Sequence, residues 1–247
     1  MPSFTLNTTF NQTDLTMLYA TGTNVVVAKP SSMTAAPNVA WVVFRPLPAN
    51  GMSWEEQYGI YASTQNIQNG ATLTQMAITP FPASSGQVYA MGPAGFFGPP
   101  QGGGIPNSYS AVNQYNNLPP NGQGYLTFGL YQNASVNGQS MNANAVSAAA
   151  VPYQSTAVMT PFTTIYIWTA SAVTSNTVVT KVSSVQTEVT FGGSITEIDL
   201  QYDSSTGAFV NVGGSIDVDS KTGQLALAGG PKLPSGISLA YHLPTLG

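Results

Sequence analysis

Residues 195–212 read ITEIDLQYDSSTGAFVNV. Ile198, Leu200 and Tyr202 alternate with Glu197, Asp199 and Gln201, the two-residue period of a strand with one buried face. The DSSTG segment at 203–207 then supplies an Asp that can accept hydrogen bonds from the turn backbone. It also supplies a Gly suited to the left-handed position of a bulged hairpin. A near-copy, DSKTG, follows at 219–223 between SIDVD and QLALA. Two such turns in succession predict a C-terminal β-meander.

The same grammar extends through the chain. Runs at 24–28, 39–44, 58–62, 125–131, 163–170 and 187–191 are rich in β-branched and aromatic residues. Gly, Pro, Asn or Ser separates most of them. The best helical candidate is NANAVSAAAV at 142–151, which lacks a charged face. The expected fold is all-β, an antiparallel sandwich-like architecture with possible division into two related β units. Those units would span 1–91 and 125–247, either separate or packed as a single domain. YGIYASTQNIQNG (58–70) and FGLYQNASVNG (128–138) echo one another and suggest a duplication. Between them, 92–124 is a Gly/Pro-rich loop too long to be a plain connection. It carries Phe96, Phe97, Tyr109 and Tyr115, so it is expected to be ordered and to pack on the core or line a contact surface.

Composition narrows the function. Only 6% of the 247 residues are charged, against about 25% in typical soluble proteins. Five Lys and Arg with a net charge of −4 argue against nucleic acid and against an acidic membrane surface. There is no cysteine, hence no disulfide, thiolate nucleophile or Cys-ligated metal. No basic and apolar leader opens the chain and no run is long enough for a spanning helix. The expectation is therefore a cytoplasmic or non-classically exported protein with no transmembrane segment.

Catalytic signatures are scarce. His242 is the single histidine, and no G-x-S-x-G elbow accompanies it. The glycines at 102–104 lack the strand, helix and Lys of a phosphate loop. The chain is read as non-enzymatic and without a cofactor. Asp199, Asp217 and Asp219 are the metal candidates: if the faces of their strands align, their oxygens would suit Ca²⁺. Lys221 stands where a D-x-D-x-D-G loop needs its third acid, and a solvated sheet face is the favoured reading.

MSWEEQYGIYAS (52–63) holds adjacent glutamates. In a strand they point apart, so they cannot act as a carboxylate pair. Glu56 shares its face with Trp54, Tyr58, Ile60 and Ala62. If 39–45 and 54–62 form a hairpin, Arg45, the chain's only arginine, is the partner for Glu56 in a structural ion pair.

Three functions follow. The first is lectin-like binding of neutral glycans, with Trp54, Glu55, Phe96, Phe97, Tyr109 and Tyr115 as ligand-binding candidates. The second is self-assembly as a coat, filament or inclusion protein, a homo-oligomer held by contacts with copies of itself and aided by low charge repulsion. The third is a β-pore-forming toxin, drawn from the Thr/Ser/Val-rich segment 163–191.

Overall fold

The structure is a computed structural model. It describes residues 2–32, 36–117 and 124–212, and the backbone of strands at 215–218, 224–228 and 239–242. The chain opens with β1 (Ser3–Thr9), helix α1 (Gln12–Ala20) and β2 (Thr23–Ala28). Two short strands follow, β3 (Val39–Ala40) and β4 (Val42–Phe44). Next come β5 (Ala49–Glu55), β6 (Gly59–Ser63), β7 (Ala77–Ile78), β8 (Val88–Met91) and β9 (Tyr109–Asn113). The long β10 (Tyr125–Val136) turns at Asn137-Gly138 into β11 (Gln139–Ala145), followed by β12 (Ala149–Pro152) and β13 (Thr156–Met159). The remaining strands are β14 (Thr164–Ser171), β15 (Thr177–Val178), β16 (Gln186–Thr190), β17 (Glu197–Asp203) and β18 (Ala208–Asn211). Last are β19 (Ser215–Val218), β20 (Gln224–Ala228) and β21 (Leu239–His242).

The fold is all-β and sandwich-like. One sheet runs β18-β17-β1-β5-β10-β6-β7, with β11 and β12 on the other edge of β10. The second runs β19-β20-β21-β16-β14-β2-β4. Alternation drives the packing: Phe4 and Leu6 of β1 and Ile198, Leu200 and Tyr202 of β17 turn inward. They join Val25, Val27, Ile165, Ile167 and Val189 of the second sheet in one apolar cluster. Among the described residues β1 pairs with β17 in parallel, so the first sheet is mixed, as is the small sheet β13-β9-β8 with its parallel β8–β9 pair, whereas the second sheet is antiparallel throughout. A parallel neighbour requires a long crossover, and here most of the chain runs between the end of β1 at Thr9 and the start of β17 at Glu197.

The 203–207 turn forms as read. Asp203 Oδ1 accepts from Ser205 N at 2.9 Å and from Ser205 Oγ at 2.6 Å, and Gly207 takes φ 72°. Strands β19, β20 and β21 are successive antiparallel neighbours, a three-stranded meander. The preceding β17–β18 hairpin belongs to the other sheet, so the C-terminal quarter is split between the two layers. The 219–223 turn lies outside the described residues.

Two expectations change. The segment 142–151 is not helical: 142–145 belong to β11 and 149–151 to β12, with a short connection between, and the helix is at Gln12–Ala20. Asn11 caps that helix by accepting from Asp14 N at 2.8 Å, and Leu15 and Leu18 are buried. Segments 39–45 and 54–62 are not a hairpin: β4 pairs with β2 in the second sheet, while β5 and β6 pair with β10 in the first. The 92–124 interval contains a regular strand, β9, central in the sheet β13-β9-β8. Across the interval, β10 pairs with β5 and β6 of the first half on one edge and with β11 and β12 of the second half on the other.

Candidate functional site

The site is built around a break. β5 and β6 are successive pieces of one edge along β10, interrupted at Glu56–Tyr58. Glu56 N donates to Pro2 O at 3.0 Å, and Gln132 Nε2 donates to Glu55 O at 2.7 Å. These bonds satisfy backbone groups that the sheet no longer pairs. The break leaves the two glutamates in opposite environments, Glu55 exposed and Glu56 turned into the core.

Inside, Glu56 meets Lys29, the residue after β2 of the facing sheet. Lys29 Nζ lies 2.7 Å from Glu56 Oε1 and 2.7 Å from Tyr58 Oη. The Lys29 side chain is 1% exposed and that of Glu56 10%. Trp54 Nε1 donates to Glu56 Oε1 at 2.9 Å, and Tyr58 Oη donates to Oε2 at 2.6 Å. The ammonium also lies 5.1 Å from the ring centroid of Trp41, 5.6 Å from Trp54 and 5.1 Å from Tyr58. Desolvated cation–π contacts contribute about 2 kcal/mol, which offsets part of the cost of burying the charge. Burial holds the Lys29 amine below its ordinary range against the opposing pull of Glu56. Burial first, then the Glu56 charge, pushes the Tyr58 hydroxyl well up.

The expected Arg45–Glu56 pair is therefore corrected to Lys29–Glu56. Arg45 follows β4 in the second sheet and is exposed, with its guanidinium 4.1 Å from the Tyr19 ring centroid on the helix. Glu56 faces the interior, where Lys29 is the cation that reaches it among the described residues.

Outside, Glu55 borders an open groove of about 350 Å³. Gln57, Phe81, Asn133 and Asn142 line it with Glu55, and Trp54 contributes to its floor. Asn133 is positioned by a register shift between Gln132 and Ala134 in the β10–β11 pair, and its Oδ1 accepts from Ala143 N at 2.8 Å. Such bulges re-aim side chains. Phe81 stacks on Tyr131 at 5.6 Å and is 37% exposed.

The six ligand candidates do not converge. Trp54 is 3% exposed, set edge-on against Trp41 and Phe191, and Tyr109 is also buried. Neither presents a stacking face to solvent. Phe97 packs edge-on against Phe128, and Tyr115 rests partly buried on the core. Phe96 is 72% exposed on the ordered turn above them. Of the six, Trp54 and Glu55 line one groove together, and the exposed aromatic there is Phe81, which the sequence did not single out. Its signal was modest, a Phe flanked by prolines in TPFP (79–82).

The acidic candidates separate as well. Asp199 lies on β17 of the first sheet and Asp217 on β19 of the second, while Asp219 lies outside the described residues. Asn7 of β1 donates to Glu197 Oε1 at 2.8 Å and to Asp199 Oδ1 at 2.7 Å, bridging the two carboxylates. No cluster of three metal-ligating side chains occurs among the described residues. Nor is any helix among them long and apolar enough to cross a membrane.

No protein-family model, curated protein or solved structure matches this chain.

Proposed function

We propose that the protein is a non-enzymatic, lectin-like binding protein for neutral glycans, with the Glu55–Phe81 groove as its site. The observation that carries this reading is the lining of the groove. An exposed aromatic ring sits beside one carboxylate and three side-chain amides, and no Lys or Arg is among the lining residues. Sugars present apolar C–H faces that stack on rings and hydroxyls that bond to amides and carboxylates. A site with a few placed polar groups around an apolar contact fits that chemistry. A sulfated or sialylated sugar would meet Glu55 with no cation to pair with.

A glycan array read at neutral pH, with and without Ca²⁺, tests the reading. Binding to neutral glycans that drops tenfold or more in Phe81→Ala and in Glu55→Gln supports it. A blank array overturns it, as does binding that both variants retain.

Self-assembly is favoured by a separate observation, the 72% exposed Phe96. Its turn is held by Gly92 N to Phe96 O at 3.0 Å and Gly98 N to Ala90 O at 2.8 Å. A large ring held out on an ordered turn suits contact with a second copy. Concentration-dependent light scattering that Phe96→Ser abolishes supports this reading; a monodisperse monomer at high concentration counts against it.

A further inference from the structure

We propose that Lys29 and Glu56 form a self-crosslinking pair, which the folded chain condenses into an intramolecular amide bond joining its two sheets. The inference stands apart from glycan binding and rests on the interior of the fold alone.

Three features point to it. The first is proximity: the amine nitrogen and a carboxylate oxygen are 2.7 Å apart, held there from opposite sheets. Reactants fixed in this way reach effective molarities of about 10⁵–10⁸ M. The second is enclosure by Trp41, Trp54 and Tyr58, which keeps bulk water from reversing the condensation. The third is the placement of donors. Trp54 Nε1–H points at Oε1 and Tyr58 Oη–H at Oε2, so the two oxygens are already distinguished.

Each proton has a route. Tyr58 Oη accepts from Nζ and donates to Oε2. A relay through it moves one proton from the ammonium to Oε2, leaving a neutral amine and a carboxylic acid. Low dielectric favours that neutral pair, and burial already depresses the affinity of Lys29 for its proton. Nζ then attacks Cδ, and an N–C bond forms as negative charge gathers on Oε1. The Trp54 N–H stabilises that oxyanion. A second proton passes from Nζ through Tyr58 to Oε2, the Cδ–Oε2 bond breaks, and one water leaves. Oε1 remains as the amide oxygen and Nζ keeps one hydrogen. Ammonium plus carboxylate has become amide plus water, with no oxidant or co-reactant.

A cavity of about 70 Å³, lined by Lys29 and Tyr58 together with Ser147 and Thr160, adjoins the pair and can receive the water. The product is favoured because a neutral amide replaces two charges that are costly to bury. In a chain with no cysteine, this bond would be the covalent tie between layers.

Intact mass spectrometry of the folded full-length protein, followed by peptic mapping, tests the proposal. The expected result is a mass lower than the sequence mass by one water. A branched peptide should join the Lys29 and Glu56 segments. Lys29→Met should restore the full mass. Full mass after prolonged incubation, with Lys29 recovered in an unbranched peptide, overturns the proposal, as does water loss that persists in Lys29→Met. Tyr58→Phe keeps the ring in place, and its folding is checked by circular dichroism. Condensation should be at least tenfold slower in it, and an unchanged rate overturns the relay.

Discussion

Gly59 lies directly opposite Tyr131 across the β6–β10 pair, and the Tyr131 ring occupies the space that a Cβ on Gly59 would need. The relationship is reciprocal. Two residues along, Tyr61 is opposite Gly129, and its ring covers that glycine. Both hydroxyls reach backbone acceptors, Tyr131 to Thr79 O at 2.9 Å and Tyr61 to Ser147 O at 2.7 Å. The echo between YGIY (58–61) and FGLY (128–131) is thus accounted for by two strands that pair with one another, each making room for the other's tyrosine.

Adding a methyl group at either glycine should overpack this seam, at a typical cost of about 1–3 kcal/mol. Gly129→Ala should cost more than Gly59→Ala. Its Cβ meets the Ser147 carbonyl as well as the ring, and backbone yields less readily than a side chain. Urea unfolding of the two variants checks the order.

Lys29→Met leaves the Glu56 carboxylate buried without its cation. Removing one partner of a buried pair costs about 3–5 kcal/mol. Lys29→Met combined with Glu56→Gln should recover part of that loss, since no orphan charge remains. A double-mutant cycle of urea midpoints reads both effects.

Stability should fall in alkali. Burial raises the hydroxyls of Tyr58, Tyr61, Tyr109, Tyr131 and Tyr166 above the ordinary value of 10.0. The folded state keeps these protons while the unfolded chain releases them near pH 10, so the unfolded state binds fewer protons there. Their contribution is intact below that pH and is lost as pH rises toward their folded values. Before condensation with Glu56, Lys29, with its affinity lowered, acts in the opposite sense between its folded value and the ordinary 10.5, but it is one group against five. Tyrosinate absorbance should appear together with loss of the circular dichroism signal.

Asn11→Ala removes the cap of the helix at Gln12–Ala20, for an expected loss of about 1 kcal/mol. Asn11→Asp, which keeps an acceptor for Asp14 N, should lose less, although its charge opposes Asp14. Thermal unfolding of both variants compares them.

The strands and the first hairpin turn were legible because alternation and turn chemistry are local. The helix was missed although Asn11 and Asp14 spelled its cap, because only Leu15 and Leu18 give it a buried stripe. The stretch 142–151 looked helical by composition, but pairing along β10 overrides propensity there. Of the candidate site, Glu55 was legible from its exposed strand face. Phe81 was not, because nothing local says that a Phe between prolines will stack on Tyr131 fifty residues away.

By itself the sequence determined the all-β class and the paucity of charge, which follow from composition and from a two-residue period; the opposite orientation of Glu55 and Glu56, expected from that period, comes about at the break after β5. Which cation meets Glu56 was decided only by the tertiary structure. Arg45 is nearer in sequence, yet the assignment of strands to sheets sends it outward over Tyr19 and brings Lys29 in from the facing layer. Sheet partnership is a non-local choice made by the packing of the whole core, and no short window of residues contains it.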